Sequence, residues 1–262
     1  MLAAARGGAR AQGAPQGATP QAAPERVAPE RRAPGRGSPE QVSPRATRLT
    51  PLTPPAGPRA ALRRDPDLRI ARLKYGGGGD WYCDPSSIPN WLDDFAARTG
   101  IPAATEEAVV SLDSEDLYRY PILWVNGHGR IALSDKELAE LRRYLDAGGF
   151  LWADDCYGLD ASFRELAAQI YPDSPLVRLG SDHPIYRAFY DLPGLPKIHE
   201  HDGLPAQGYG LFHGGRLVVF YSFSSDIGDG LEDPDVHGDP PDVREAAAEM
   251  AVNVFVYVLT HP

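Results

Sequence analysis

The stretch AGGFLWADDCYG at residues 147–158 decides the fold. The pair Gly148-Gly149 ends a helix, the apolar residues 150–153 form a short buried strand, and two aspartates and a cysteine follow where that strand stops. In open α/β sheets, ligands bind outside the carboxyl ends of the strands. This stretch therefore predicts an α/β sheet and also the edge at which its site lies.

A second stretch, PILWVNGHGR at residues 121–130, repeats this arrangement. An apolar strand over 122–126 is followed by His128, which lies between Gly127 and Gly129. Glycine lets a backbone approach a ligand closely, and histidine exchanges protons readily near neutral pH. His128 is therefore a candidate catalytic residue, and its two glycines are candidate ligand contacts. The alternative is that His128 is a turn residue without a functional role.

Strands and helices alternate along the rest of the acidic region. Alternating apolar and basic residues over 68–75 predict a strand that lies at a sheet edge or exposes one face. A capping box of Ser134 and Glu137 predicts a helix over 135–147. The remaining predictions are helices after Ser86 or Ser87, over 161–170 and over 243–260, strands over 108–112, 150–153, 210–213 and 216–222, and a loop over 224–242. Such alternation predicts a three-layer α/β sandwich with a mostly parallel sheet.

Composition divides the chain into two parts. Residues 1–64 contain 11 basic and 3 acidic residues and few large apolar ones, so they cannot bury enough surface to offset chain entropy. We expect a disordered Ala/Pro/Arg-rich leader or linker there. Residues 65–262 contain 15 basic and 33 acidic residues and are long enough for one α/β domain. Their acidic balance argues against nucleic acid as a partner.

Targeting signals leave two locations open. The small residues of Ala9-Arg10-Ala11 resemble a signal-peptidase site, but the apolar run over 2–5 is too short for an export signal. If translation starts upstream, we expect a periplasmic or exported protein, and otherwise a cytoplasmic one. The most apolar segment, residues 246–259, is too short to span a membrane and contains Glu249 and Asn253.

Four motifs together resemble a known family. They are NGHG at 126–129, the helix and strand at 138–156, SDHPIYRAFY at 181–190 and GRLVVFYSFSSDIGDG at 215–230. Over residues 68–260 the chain resembles the domain of unknown function 4159 family. The resemblance implies a bacterial, exported or membrane-associated setting. It also implies a flavodoxin-like fold similar to the class I glutamine amidotransferase group, which includes the trehalose-utilisation (ThuA-like) proteins, but no established activity.

Cys156 is the candidate nucleophile that an amidotransferase-like fold suggests. It follows a strand and precedes Gly158, as in a nucleophile elbow, but Asp154 stands where the first glycine of that elbow belongs. Adjacent carboxylates raise the pKa of a thiol. The His-x-Glu pattern of amidotransferases is also absent from the sequence. We therefore expect Cys156 to be a semi-buried structural residue rather than a nucleophile. The other cysteine, Cys83, forms no disulfide framework or zinc pattern with it.

Asp154 and Asp155 are candidate catalytic or ligand-binding residues. Consecutive residues of a strand point to opposite sides, so at most one reaches the crevice directly while the other caps the following turn. Capping aspartates and functional aspartates are both compatible with this pattern.

Other candidate ligand contacts lie in neighbouring loops. The glycine run at 76–79, in particular Gly77 and Gly78, allows close approach of a ligand to the backbone but lacks the lysine of a phosphate loop. Trp81, Tyr82 and Tyr157 could stack on a sugar or pack in the core. Asp226 and Asp229 are predicted to close over the crevice.

Two segments suggest metal ligands only in part. HEHD at 199–202 contains suitable donors without helical His-x-x-x-His spacing, which favours a solvated polar loop. GDGLEDPD at 228–235 has the composition of a calcium loop without EF-hand spacing. The sequence thus predicts no metal site and no cofactor.

Together these features favour a small-molecule-binding module without amidotransferase activity, whose ligand is a carbohydrate or another polar molecule. One alternative is a hydrolase that uses His128 with Asp154 or Asp155, with or without the help of a metal ion. Another is a non-catalytic protein-interaction domain. The sequence leaves open whether the protein is an enzyme, and it identifies no protein partner.

Overall fold

A computed structural model of the chain describes residues 68–199 and 203–262. The leader predicted over 1–64 and residues 200–202 of the predicted polar loop lie outside the described residues. The described strands are β1 (Ile70–Leu73), β2 (Ala108–Val110), β3 (Ile122–Val125), β4 (Phe150–Asp154), β5 (Val177–Arg178), β6 (Gln207–His213) and β7 (Arg216–Phe223). The described α-helices are α1 (Ser87–Thr99), α2 (Asp135–Asp146), α3 (Asp160–Ile170), α4 (Ile227–Leu231) and α5 (Pro241–Thr260), and short 3-10 helices span Leu117–Arg119 and Pro184–Tyr186.

The strands form one sheet in the order β2-β1-β3-β4-β7-β6-β5. The first five of these are parallel, and β6 and β5 are antiparallel additions at one edge. Numbered along the chain, the parallel strands have the order 2-1-3-4-5, which is the flavodoxin-like order. The predicted α/β fold with a mostly parallel sheet is therefore confirmed. The order reverses between β1 and β3, and ligands commonly bind at such a topological switch point.

Helices cover both faces of the sheet. Successive strand residues face opposite sides, and the apolar residues of β3 and β4 are buried on both. Ile122 and Trp124 of β3 pack in a core with α1 and α5, whereas Leu123 and Val125 pack in a second core with α2 and α3. The capping box predicted at Ser134 is present at the start of α2. Three layers result, and they leave the carboxyl ends of the parallel strands to be covered by loops.

The expectation that the first strand is an edge strand or exposes one face is wrong. β1 lies between β2 and β3, and all four of its residues are buried. The basic residue that suggested exposure, Arg72, is only 1% exposed. Its charge is accommodated by hydrogen bonds at the strand end, which a pattern of apolar and basic residues does not reveal.

The region 224–242, predicted as a loop, contains the short helix α4. Its sequence IGDGL has two glycines and therefore a low intrinsic helix propensity. The helix follows Asp226, whose φ is +61°, and all five of its residues are buried. Tertiary contacts thus form this helix against its local preference.

Helix α5 contains the whole of the most apolar segment of the chain and packs in the core on one face of the sheet. Its buried Asn253 accepts hydrogen bonds from the backbone N–H groups of Phe189 (2.8 Å) and Tyr190 (2.7 Å), so the polar side chain is satisfied inside the fold. In the described part of the chain, none of the helices combines the length and the apolar character that a membrane crossing requires.

Candidate functional site

The candidate site lies where β1, β3, β4 and β7 have their carboxyl ends. Two groups of side chains occupy this edge, and they differ in exposure. The switch-point surface comprises Asp80, Trp81, Tyr82, His128 and Tyr157. The inner cluster comprises Asp84, His199, Asp226, Asp229 and His237.

Arg72 fastens the loop after β1 to the end of β3. Its guanidinium donates hydrogen bonds to the carbonyl oxygens of Cys83 (2.7 Å) and Asp84 (2.9 Å) and to Oδ1 of Asn126 (2.8 Å). Its Nε also pairs with Glu107 at 2.8 Å. A buried arginine is tolerated only where its donors are satisfied in this way. Since this loop contributes to both groups of side chains, Arg72 positions both.

Asp80 and His128 form a half-exposed pair at the switch point. One carboxylate oxygen of Asp80 accepts a hydrogen bond from the backbone N–H of His128, and the other lies 3.2 Å from Nδ1 of the ring. The two loops also pair through their backbones, since the N–H of Gly79 donates to the carbonyl of Arg130 at 2.9 Å. The side chain of His128 is 50% exposed. Asp80 therefore orients an imidazole that a ligand in solution can reach.

The glycines predicted as ligand contacts have two different roles. Gly127 has a φ of +139°, and a Cβ there would lie 2.2 Å from the hydroxyl oxygen of Tyr75. Gly77 has a φ of +107°, and its Cβ would lie 2.6 Å from a backbone nitrogen of the facing loop. By contrast, a Cβ at Gly78 would meet nothing within 4 Å, and one at Gly129 nothing closer than 3.5 Å. Gly77 and Gly127 thus allow the loops to pack, Gly78 faces open space, and a side chain at Gly129 would make only ordinary contacts.

Aromatic rings flank the Asp80–His128 pair. Tyr82 is 65% exposed and Tyr157 is 62% exposed, which is unusual for large apolar rings. The N–H of Gly129 lies 3.4 Å from the carbonyl oxygen of Tyr157, so that tyrosine adjoins the loop of His128. Trp81 packs edge-on against Tyr82 at 5.5 Å between ring centroids. The surface therefore combines polar groups with exposed ring faces.

Asp154 is buried and fully engaged by its neighbours. One oxygen accepts a hydrogen bond from the hydroxyl of Ser222 (2.5 Å) and the other from the backbone N–H of Gly228 (2.7 Å). Ser222 is itself held by the indole N–H of Trp152 at 2.8 Å. Burial raises the pKa of Asp154 to about 7. This aspartate thus connects the end of β4 to β7 and α4.

Asp155, the residue after β4, contacts a different part of the chain from Asp154, as expected for consecutive residues at a strand end. It accepts a hydrogen bond from the backbone N–H of Ser224 at 3.0 Å, and burial raises its pKa to about 6. Among the hydrogen bonds of the described residues, neither Asp154 nor Asp155 contacts His128. The carboxylate that pairs with this histidine is that of Asp80.

The two cysteines lie near each other, with Cys156 on the inside. Cys156 is 1% exposed, and its sulfur lies 3.5 Å from Oδ1 of Asp226. A hydrogen bond with Cys83, burial and the charge of Asp226 raise the pKa of the Cys156 thiol well above its ordinary value. Cys83 is the cysteine near the histidine, because its sulfur, an oxygen of Asp80 and a ring nitrogen of His128 lie within 4.8 Å of one another.

The inner cluster brings three buried carboxylates together. One oxygen from each of Asp84, Asp226 and Asp229 lies within 4.8 Å of the others. Asp84 also accepts a hydrogen bond from the side-chain amide of Asn126 at 2.8 Å. Burial and then the charge of Asp229 raise the pKa of Asp84 to about 6 and that of Asp226 to about 10. These buried carboxyl groups therefore hold protons to higher pH than an exposed aspartate does.

Two histidines adjoin Asp229 on another side. Nδ1 of His199 lies 2.5 Å from one carboxylate oxygen of Asp229, and Nε2 of His237 lies 3.4 Å from the other. Nε2 of His199 in turn lies 3.3 Å from Oδ1 of Asp239. The expectation of a solvated polar loop is thus wrong for His199, which belongs to the inner cluster.

Several residues of the two groups were not singled out from the sequence. Asp80 directly follows the glycine run, and Asp84 follows Cys83, so their position just after a predicted strand was a usable signal. His237 lies in the segment 232–240 between α4 and α5, where no motif or spacing distinguishes it.

Two cavities lie elsewhere on the molecule. One of about 400 Å³ lies between the segment after β2 and the start of α2, lined in part by Asp113, Tyr118 and Glu140. Another of about 500 Å³ lies beside β5 and β6, lined in part by Leu179 and Tyr186. Neither is lined by a residue of the switch-point surface or the inner cluster.

Comparison with known proteins gives one family. The model of a family described as a domain of unknown function (DUF4159) matches residues 69–259, which include every strand, every helix but the last residue of α5, and both groups of side chains. No curated protein matches the chain.

Proposed function

This chain belongs to the DUF4159 family, a domain of unknown function, and from that premise we propose that its switch-point surface binds a small polar ligand of the carbohydrate type. The observation that carries the proposal is the half-exposed Asp80–His128 pair, whose loops also contain or adjoin the exposed residues Tyr82 and Tyr157. Large exposed apolar groups gathered at one place on a protein surface commonly mark an interaction site.

The chemistry of this surface suits a ligand rich in hydroxyl groups. The Asp80 carboxylate accepts hydrogen bonds, and the ring nitrogens of His128 can donate or accept them according to tautomer. The faces of Tyr82 and Tyr157 can pack against the C–H faces of a sugar ring. The open space at Gly78 leaves room for such a ligand to approach.

Binding without amidotransferase chemistry is the form of the proposal that the cysteines support. The Cys156 thiol is buried among carboxylates that disfavour its thiolate, which is the reactive form. The chain also lacks the His-x-Glu pattern. Hydrolysis by Asp154 or Asp155 with His128 receives less support, because both carboxylates hold backbone or hydroxyl groups of β7 and α4.

Tryptophan fluorescence can test the proposal directly. Trp91, Trp124 and Trp152 are fully buried, so the partly exposed Trp81 is the tryptophan that a ligand at this surface would reach. We expect at least one probe from a panel of neutral mono- and disaccharides and sugar acids to change the fluorescence saturably. Saturation-transfer NMR on the same protein should identify the bound probe.

Matched variants make this test specific. His128→Ala and Tyr157→Ala should each weaken binding of that saccharide at least about tenfold, which corresponds to about 1.4 kcal/mol. Phe189→Ala removes a ring that is 46% exposed and packs against Tyr190 away from this surface, and it should bind normally. The proposal fails if the whole panel gives no saturable signal, or if both site variants bind as the wild type does.

A further inference from the structure

Asp229 joins the two halves of the inner cluster. It forms one compact group with Asp84 and Asp226, and a second group with His199 and His237, and the ligand atoms within each group lie within 4.8 Å of one another. Its side chain is 8% exposed. Two imidazoles and a carboxylate converging in this way form a donor set that divalent transition metals prefer.

The surroundings of His199 match those of a metal-binding histidine. Such histidines usually direct one ring nitrogen to the metal and donate the N–H of the other to a carboxylate, which fixes the tautomer. Nδ1 of His199 faces Asp229 at 2.5 Å, and its Nε2 faces Oδ1 of Asp239 at 3.3 Å. Asp239 thus occupies the position of the orienting outer carboxylate.

A second observation is independent of the acidic groups of the cluster. The side chain of Asp239 is 8% exposed, and its Oδ2 atom is buried without a hydrogen-bond partner among the described residues. An unsatisfied buried carboxylate oxygen is costly and calls for a physical explanation. A metal ion on His199 would offset part of this cost, because it adds positive charge near the carboxylate and strengthens the imidazole N–H as a donor to Oδ1 of Asp239.

We propose that His199, Asp229 and His237 bind one divalent transition-metal ion, with Zn²⁺ bound more tightly than Mn²⁺. The order of the two ions follows the general affinity series for nitrogen and oxygen ligands. Asp84 and Asp226 lie beside Asp229 without ligating the ion. The imidazoles select against Mg²⁺ and Ca²⁺, which prefer oxygen ligands. This site uses no residue of the switch-point surface, so it stands or falls separately from the proposed carbohydrate site.

Metal binding to the full chain, stripped with a chelator, tests the proposal. Isothermal titration calorimetry with Zn²⁺ and Mn²⁺ should give one ion per chain, with tighter binding of Zn²⁺ and much weaker binding of Mg²⁺ and Ca²⁺. Pulsed electron paramagnetic resonance of the Mn²⁺ form should detect coupling to imidazole nitrogen. Absence of that coupling, or equal binding of Mg²⁺ and Mn²⁺, would overturn the site.

Variants identify the ligands. Asp229→Asn and His237→Gln should each lower the Zn²⁺ affinity at least about tenfold. His237 is partly exposed, so its variant should fold normally even if Asp229→Asn does not. His213→Gln removes a comparable imidazole, which lies at the end of β6 and is stacked on Tyr171. This variant should bind Zn²⁺ as the wild type does. A His237→Gln variant that keeps wild-type affinity and nitrogen coupling, or a His213→Gln variant that loses them, contradicts the proposal.

Discussion

The switch-point surface and the inner cluster share one edge of the sheet, yet they are built in different ways. The surface comes from short glycine-containing loops directly after β1, β3 and β4, and its polar groups face water. The inner cluster is assembled from residues 84, 199, 226, 229 and 237, and its carboxylates are buried. The surface can therefore exchange ligands with the solvent, whereas the cluster needs protons or a cation to neutralise its charge.

Arg72 tests whether the two regions depend on one support, and its loss should have the largest effect. Arg72→Met keeps the apolar stem but leaves Asn126 Oδ1, two backbone carbonyls and Glu107 without their partner. Breaking one side of a buried charged network costs about 3–5 kcal/mol. We expect a fall in melting temperature on the order of 10 °C, together with loss of both saccharide and metal binding.

Arg187→Met is the matched control for this prediction. Arg187 pairs with Asp191 at 2.9 Å, but its side chain is 52% exposed. Exposed ion pairs contribute about 0–1 kcal/mol, so this variant should melt within a few degrees of the wild type. Urea denaturation of both variants gives the comparison, and an Arg72→Met protein as stable as the control would show that the two regions are held by other contacts.

The two regions also differ in how far the sequence predicted them. The strands, the sheet class and the glycine-flanked His128 follow from short-range signals: apolar periodicity, a capping box and glycines beside a strand end. Gly77, Gly127, Trp81 and Tyr157 were singled out for the same reason. Local patterns suffice here because the loops of the switch-point surface follow directly from the strands that position them.

The inner cluster was predicted only in part, since its geometry depends on contacts between distant segments. Asp226 and Asp229 were expected near the crevice, but the pairing of Asp229 with His199 and His237 requires the segment 232–240 to fold back beside residue 199. The helix α4 that carries Asp229 forms against local propensity. Buried Arg72 was misjudged for the same reason, because its partners Glu107 and Asn126 lie 35 and 54 residues away.

Alanine at two glycines can separate the packed from the open parts of the switch-point surface. At Gly127 a Cβ would lie 2.2 Å from the Tyr75 hydroxyl, and the φ of +139° is strained for any other residue. We expect Gly127→Ala to cost about 2–4 kcal/mol. Gly78 has a φ of +93° but open space, so Gly78→Ala should cost about 1 kcal/mol.

Urea denaturation of the two glycine variants checks the order of these effects, and saccharide binding gives a second readout. Gly78→Ala should stay folded while altering binding, because the added methyl group faces the open surface. Equal stability of the two variants would mean that the loops adjust and that the close packing at Gly127 is not required.

The smallest expected effect concerns pH and the buried side of the sheet edge. Burial raises the pKa of Asp155 from 3.8 to about 6, so the folded protein holds this proton more tightly than the unfolded chain does. The contribution of Asp155 to the free energy of unfolding therefore rises as the pH falls through about 6. The same contribution is lost as the pH rises again. At pH 5 the gain over pH 7.5 should be about 1 kcal/mol.

Urea denaturation in the presence of a chelator, at pH 7.5, 6 and 5, should show this gain for the wild type relative to Asp155→Asn, which has no proton to bind. Equal pH dependence in the wild type and Asp155→Asn would assign the gain to the other buried carboxylates of this edge, such as Asp154 and Asp84.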